Sequence, residues 1–177
     1  MRQERILYRA LNALVENPEY SIDNMQSGDN AGTLLGKMTW LDSRNQPSNQ
    51  DILDQIDLLD NQGKRAEVNK ERDRRINLPK PVSLSSGKSF VCDMANGAMA
   101  NISDLGTAAV AKILISNDTT FSFRDANNQD HDLTNADVIE MGLQCAAQVE
   151  QIHIKAREIK AMNPIPEDVT DDILWND

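Results

Sequence analysis

The chain has few aromatic residues, few histidines and few cysteines, and each scarcity narrows the classes of function. Aromatic residues make up 4% of the 177 residues, so two small hydrophobic cores or an oligomer are expected instead of one thick core. The two histidines, His131 and His153, lack a second ligand at metal-site spacing. The spacing of Ser, Cys, His and Asp suggests no catalytic constellation. We therefore predict a protein without enzymatic activity, bound metal or cofactor.

The cysteines and the charge indicate a protein of the reducing cytosol. Cys92 and Cys145 are far apart and lack the C-x-x-C spacing of a redox or metal site, so reduced structural thiols are expected. A net charge of −10 argues against nucleic acid or an anionic membrane as a partner. No run approaches the ~20 apolar residues of a membrane span, and residues 1–5 precede no apolar signal core. A soluble protein is expected.

The first part of the chain predicts a helix–strand–helix unit over residues 1–76. Apolar residues at helical spacing indicate a helix over 4–16, and residues 33–41 are typical of a strand. Ser48 is a suitable N-cap for a second helix that extends to Ile76. Prolines and serines over 77–88 then predict a linker.

The second part, residues 89–162, predicts a small sheet packed on two helices, so the fold class is α+β. Strands are expected at 89–94 and around Phe121 and Phe123, with a turn at Asn96-Gly97 and an Ala-rich helix over 103–115. The predicted core consists of Leu105, Val110, Ile113, Leu114, Phe121, Phe123, Leu133, Val138, Met141, Cys145, Val149 and Ile152. Phe123→Ala or Val149→Asp should unfold this unit, whereas His131→Ala should change little.

The last helix, which opens near Thr134, carries a continuous apolar stripe. Residues three and four apart on a helix lie on one face, and this face can either cover a core or pair with a second helix in a coiled coil. Candidate positions for helix packing or self-association are Val138, Met141, Cys145, Val149, Ile152 and Ile159.

Three polar segments have some features of binding sites. Ser85–Ser89 lacks the first glycine of a phosphate-binding loop, and the segment from Asp125 lacks the glycine and the final glutamate of a calcium loop. The basic residues of 64–75 alternate with acids at helical ion-pair spacing, which favours a solvated helix face. A further option is that this segment receives an acidic tail such as residues 167–177 of a neighbouring copy.

An acidic tail over 163–177 is the strongest candidate binding element. Its partner-interface candidates are Asp171, Asp172, Ile173, Leu174 and Trp175. Aromatic residues anchor interfaces out of proportion to their number, so Trp175 would be the anchor. The alternative is that the tail folds back onto its own domain.

The second unit carries a set of motifs: Arg72-Asp-Arg-Arg-Ile76, Phe90-Val-Cys-Asp93, Phe121-Ser-Phe-Arg-Asp-Ala-Asn-Asn128 and Asp132-Leu-Thr134, followed by the long helix. With them, residues 73–162 resemble a domain family of unknown biochemical function that recurs in bacteriophage tail-fibre and tail-associated proteins. That family carries a Trp where this chain has Phe121 or Phe123. The first unit is similar to small phage tail proteins at Tyr20-Ser-Ile-Asp23, Trp40 and Gln46-Pro-Ser48.

The resemblance implies a structural protein of the virion tail, made in the bacterial host cytoplasm, that contacts tail-fibre or baseplate proteins. It implies no catalytic residue and no cofactor. An assembly chaperone of the tail fibre, absent from the finished virion, is the alternative. A homo-oligomer is compatible with both. A nucleic-acid accessory protein that uses residues 64–75 is a third option, and its binding would weaken steeply with salt.

Overall fold

The computed structural model describes residues 2–26, 28–95 and 97–176, and it confirms the α+β class. The ends of the predicted ranges at residues 1 and 177 and Asn96 of the predicted turn lie outside the described residues. The helices are α1 (Arg2–Leu14), α2 (Ala31–Gly36), α3 (Asn49–Ile76), α4 (Ala98–Leu114) and α5 (Asn135–Ala161), with a 3-10 turn at Asp172–Leu174. The strands are β1 (Tyr20–Ile22), β2 (Met38–Trp40), β3 (Lys80–Ser83), β4 (Ser89–Cys92), β5 (Phe121–Arg124) and β6 (Asp130–Leu133). They pair as three antiparallel two-stranded sheets, β1–β2, β3–β4 and β5–β6, of which the last two are hairpins.

The chain divides into two compact units, Met1–Ala66 and Glu67–Asp177. This division corrects the predicted boundary, because it falls inside α3 and not in the proline-rich stretch of residues 77–88. As predicted, Ser48 caps α3: its hydroxyl accepts from the backbone NH of Asp51 at 3.1 Å and donates to the Asp51 carboxylate at 2.6 Å. Residues of good helix propensity then carry α3 across the boundary without a proline.

The first unit packs three helices around one small core. Its buried residues are Leu7, Ala10, Leu11, Ala31, Leu34, Leu35, Ile52 and Ile56. The predicted strand over 33–41 is correct only from Met38. Its first half is α2, because Asn30 caps that helix by accepting from the backbone NH of Thr33 at 2.8 Å.

The predicted linker over 77–88 is wrong, because it contains β3, which pairs with β4 and places Pro81 opposite Val91. Proline fits an edge strand, where the missing NH removes no ladder bond. Side chains of α5 satisfy the free edge: Gln144 donates to the Ser83 carbonyl at 2.7 Å, and Gln148 donates to the Pro81 carbonyl at 2.9 Å. The edge strand is therefore held by the long helix and is part of the second unit.

The hairpin β5–β6 contains a strand that the sequence pattern did not reveal. The residues of β6, Asp130–Leu133, are mostly polar, a composition more typical of a turn than of a strand. The buried carboxylate of Asp125 organises the turn between the strands by accepting from the backbone NH groups of Asn127 and Gln129, each at 2.8 Å. These bonds, with that of His131, lower the pKa of Asp125. Turn chemistry thus sets the register of the hairpin.

His131 has a structural role that corrects the expectation of a silent substitution. Its ring stacks on Phe90 with 4.6 Å between ring centroids, and its Nε2 lies 3.2 Å from the Asp125 carboxylate. We expect His131→Ala to lower the free energy of unfolding by about 1–2 kcal/mol, the sum of a ring contact and a hydrogen bond. Chemical denaturation of the second unit measures this loss. His153→Ala, on α5, is the control, and an equal loss there would contradict the structural role.

Candidate interaction surfaces

The segment after α5 folds back onto its own unit. Trp175 is only 8% exposed, and its indole NH donates to the Val169 carbonyl at 2.8 Å. It belongs to a core formed by Val68, Ala156, Ile159, Ile165, Val169 and Trp175. The prediction of Trp175 as a partner anchor is therefore wrong, because the indole is already buried within the chain.

Arg75 on α3 fixes this segment. Its guanidinium donates to the Thr170 carbonyl at 3.0 Å and to the Asp172 carboxylate at 2.6 Å, and it lies 5.0 Å from the centroid of the Trp175 ring. Glu71 accepts from Arg75 at 2.7 Å on the other side. Hydrogen bonds from Arg74 and Arg75 also lower the pKa of Glu71 against the effect of burial. The basic stretch 64–75 thus receives the acidic tail of its own chain.

Of the five predicted interface residues, the structure leaves three accessible. Ile173 is 81% exposed, and Asp171 and Asp172 lie at the surface beside it. Leu174 is half-buried against the same core as Trp175. One isolated apolar side chain is ordinary on a protein surface, so this segment is not a binding site by itself.

The predicted stripe of α5 is a core face. Val138, Met141, Cys145 and Ile159 are fully buried, and Val149 and Ile152 are partly buried against the same two clusters. Helix packing is therefore observed, and self-association through this stripe is wrong, because the second unit itself covers it. The packing also encloses both thiols, since Cys92 and Cys145 have no exposed surface.

The helix α4, in contrast to α5, exposes residues that the sequence pattern predicts to be core. Val110, Ile113 and Leu114 were predicted core residues, yet all three are exposed, and α4 buries only Ile102 and Ala109. With Ile115 and Leu143 they form what we call the α4 apolar face, whose side chains are between 48% and 80% exposed: Val110, Ile113, Leu114, Ile115 and Leu143. Periodicity identified the apolar side of α4 but not what lies against it.

A groove of about 330 Å³ opens between α4 and α5 beside this face. Two glycines, Gly106 and Gly142, leave it open: a Cβ at Gly106 would meet nothing within 4 Å, and one at Gly142 would first meet Ile102 at 3.9 Å. The lining is largely aliphatic: Met99, Ile102, Val110, Ile139, Leu143 and Ala146. Such a shape suits an inserted apolar side chain.

The groove and the face beside it are almost free of charge. The stretch 105–116 contains one charged residue, Lys112, on a chain of net charge −10. The Lys112 ammonium lies 3.6 Å from the centroid of the Phe121 ring and donates to the Thr119 carbonyl at 3.2 Å. Its charge is therefore satisfied beside β5 within its own unit. An uncharged apolar surface of this kind is typical of a protein-contact site.

Within 2–26, 28–95 and 97–176, no group of three or more His, Cys, Asp or Glu side chains is placed to hold a metal ion. In that part of the chain, no helix has both the length and the apolar character needed to cross a membrane.

A family described as a domain of unknown function, DUF4376, matches residues 60–174. The chain belongs to this family. The DUF4376 match begins within α3 and continues to Leu174, so it includes the segment after α5 that folds back onto its own unit. It is therefore wider than the resemblance over 73–162. No curated protein and no solved structure matches the chain.

The α4 apolar face is the feature that residue patterns missed within the DUF4376 region. A signal was nevertheless present, since α4 carries only two charged residues, Asp104 and Lys112, and is apolar or small on most of its circumference. A helix apolar all round is expected to be covered on several sides. Within its own unit, α4 has α5 as its main helical neighbour, which covers only one side.

Proposed function

We propose that the protein is a non-catalytic structural component of a bacteriophage tail that links or positions the tail fibre or baseplate. The observation that carries the contact role is the α4 apolar face with its adjoining groove. Large aliphatic side chains held exposed together, on a chain otherwise rich in charge, mark a surface that a protein partner covers. The role requires no cofactor.

The phage assignment is supported by the sequence motifs. The aromatic strand around Phe121 and the Asn-rich turn after Asp125, which resemble tail-associated proteins, form β5 and the hairpin turn. The partners in this proposal are tail-fibre or baseplate proteins, together with further copies of the same chain. The place of action is the virion tail, after synthesis in the host cytoplasm.

A tail-fibre assembly chaperone is the second candidate. The groove between α4 and α5 is open in the isolated chain, which also suits a helper that holds an apolar segment of the fibre and then releases it. Both roles use the same surface, so they differ in whether the chain remains in the finished particle.

Quantitative mass spectrometry of purified, intact virions tests the proposal. We expect the chain at a fixed copy number that matches the symmetry of the tail, because a structural link is built in stoichiometrically. Absence from virions, with co-purification when the fibre is co-expressed, would assign the chaperone role. Absence from virions without co-purification would reject both roles. A major capsid protein measured in the same sample calibrates the copy number.

A further inference from the structure

We propose that the α4 apolar face is a two-fold interface between two copies of this chain, with the α4 helices antiparallel and crossing at Val110. The inference rests on the proposed function only in treating this face as a protein-contact surface. It names a second copy as the partner and assigns the contact to α4, whereas the sequence pattern placed self-association on α5.

The exposed area of the α4 apolar face approaches the area that a dimer buries on each partner. At about 200 Å² for a fully exposed aliphatic residue, the five side chains present roughly 600 Å², the upper limit of the largest apolar patch on a monomer. A standard interface buries ~800 Å² on each partner. The exposed residues Thr107 and Ala111, which lie on α4 next to Val110 and Leu114, extend the face toward that area.

Charge favours this face over others for contact between identical chains. Two molecules of net charge −10 repel each other, so contact is least opposed where neither contributes an acid. Residues 105–116 contain no Asp or Glu, and none of the residues that line the groove is charged. Lys112 is the one charged residue of this stretch, and its ammonium group already contacts the Phe121 ring and donates to the Thr119 carbonyl.

The shape of the face is complementary to itself under a two-fold rotation. Gly106, Val110 and Leu114 succeed each other at intervals of four and share one side of α4. In an antiparallel pair centred on Val110, Leu114 of one copy lies opposite Gly106 of the other. Leu114 projects from the surface, whereas Gly106 opens the groove, so each copy inserts a side chain and receives one. This is the reciprocity of an isologous interface.

Sedimentation equilibrium of the full chain at micromolar concentrations tests the pairing. We expect a dimer that Leu114→Glu weakens at least ~100-fold, because a buried leucine would be replaced by a buried charge. Gly106→Leu should weaken it as well by filling the groove, and a Cβ at Gly106 would meet nothing within 4 Å in its own chain. Ile173→Glu is the matched control, since Ile173 and Leu114 are 81% and 80% exposed and the charge change is the same. Circular dichroism verifies that each variant is folded.

A cysteine placed at the two-fold axis tests the register. Val110→Cys should form a disulfide between two copies when diamide is added as oxidant, since the two Val110 positions face each other. The native Cys92 and Cys145 are fully buried and do not compete. Ile173→Cys is the control and should remain a monomer on a non-reducing gel. Dimerisation without a Val110→Cys cross-link would overturn the register.

Three outcomes would overturn the interface itself. The first is a wild-type chain that is still monomeric at about 100 µM. The others are a dimer that Leu114→Glu leaves intact and a dimer that Ile173→Glu disrupts equally. These results are separable from the virion measurement. A monomeric chain found in virions would reject the dimer and retain the tail role. A dimer that is absent from virions and does not bind the fibre would do the reverse.

Discussion

Trp175→Ala is expected to lower the free energy of unfolding of the second unit by about 3–5 kcal/mol, the usual cost of removing a buried large aromatic side chain. The indole is 8% exposed, and the substitution would leave a cavity beside Val68 and Ile159. It would also remove the bond to the Val169 carbonyl and the ring under Arg75. Differential scanning calorimetry of the full chain measures the effect.

The control lies two residues away. Ile173→Ala should change the stability by less than ~0.5 kcal/mol, because this side chain is 81% exposed. In Trp175→Ala the remaining tryptophan is Trp40, so the fluorescence of that variant reports the unfolding of the first unit. Equal losses from the two substitutions would contradict the packing of the segment in its own unit.

Asp137→Ala is expected to cost about 2–3 kcal/mol, the sum of a lost helix cap and a lost charged hydrogen bond. Asp137 closes a capping box with Thr134 at the start of α5: each side chain accepts from the other's backbone NH, at 3.0 and 3.2 Å. Its carboxylate also accepts from Lys88 at 2.8 Å, which ties the turn between β3 and β4 to the helix. Asp104→Ala, which removes an exposed acid of α4, controls for the change in net charge.

The substitution Asp137→Ala should also make the free energy of unfolding less dependent on pH under acidic conditions. Burial tends to raise the pKa of Asp137, but hydrogen bonds from Lys88, Ser86 and Thr134 outweigh it and hold the pKa well below its ordinary value. A carboxylate with a lowered folded pKa contributes stability above its unfolded pKa of about 4 and loses it as pH falls further. Denaturation between about pH 4 and pH 2 should therefore show a smaller decline for Asp137→Ala. Parallel curves would contradict this role.

The fold class and the long helix could be predicted because both depend on local periodicity. The stripe from Val138 to Ile159 repeats at three and four residues, and Thr134 is a favourable N-cap, so α5 begins where the pattern indicates. Ser48 and α3 follow the same rules. Such features need no knowledge of which element lies opposite.

The predictions that were wrong concern features that depend on tertiary contacts. Prolines near Lys80 suggested a linker, since nothing local reveals that Gln144 and Gln148 satisfy an edge strand more than sixty residues earlier. Trp175 resembled an exposed anchor because Arg75, its partner, is distant in sequence. The prediction that the apolar side of α4 is core fails for the same reason, since periodicity shows that a face is apolar but not whether its own chain covers it.

The continuity of α3 determines where the chain can be cut into an autonomous fragment. A truncation at residue 77, which the proline-rich stretch invites, would delete Val68 and Arg75 and strip Trp175 of its cover. A fragment from Glu67 would retain them on a helical remnant too short to persist alone in water, so its order would depend wholly on those contacts. The DUF4376 match starts at residue 60, which adds nearly two further turns of α3. Any independently expressed version of the second unit must therefore begin inside the first.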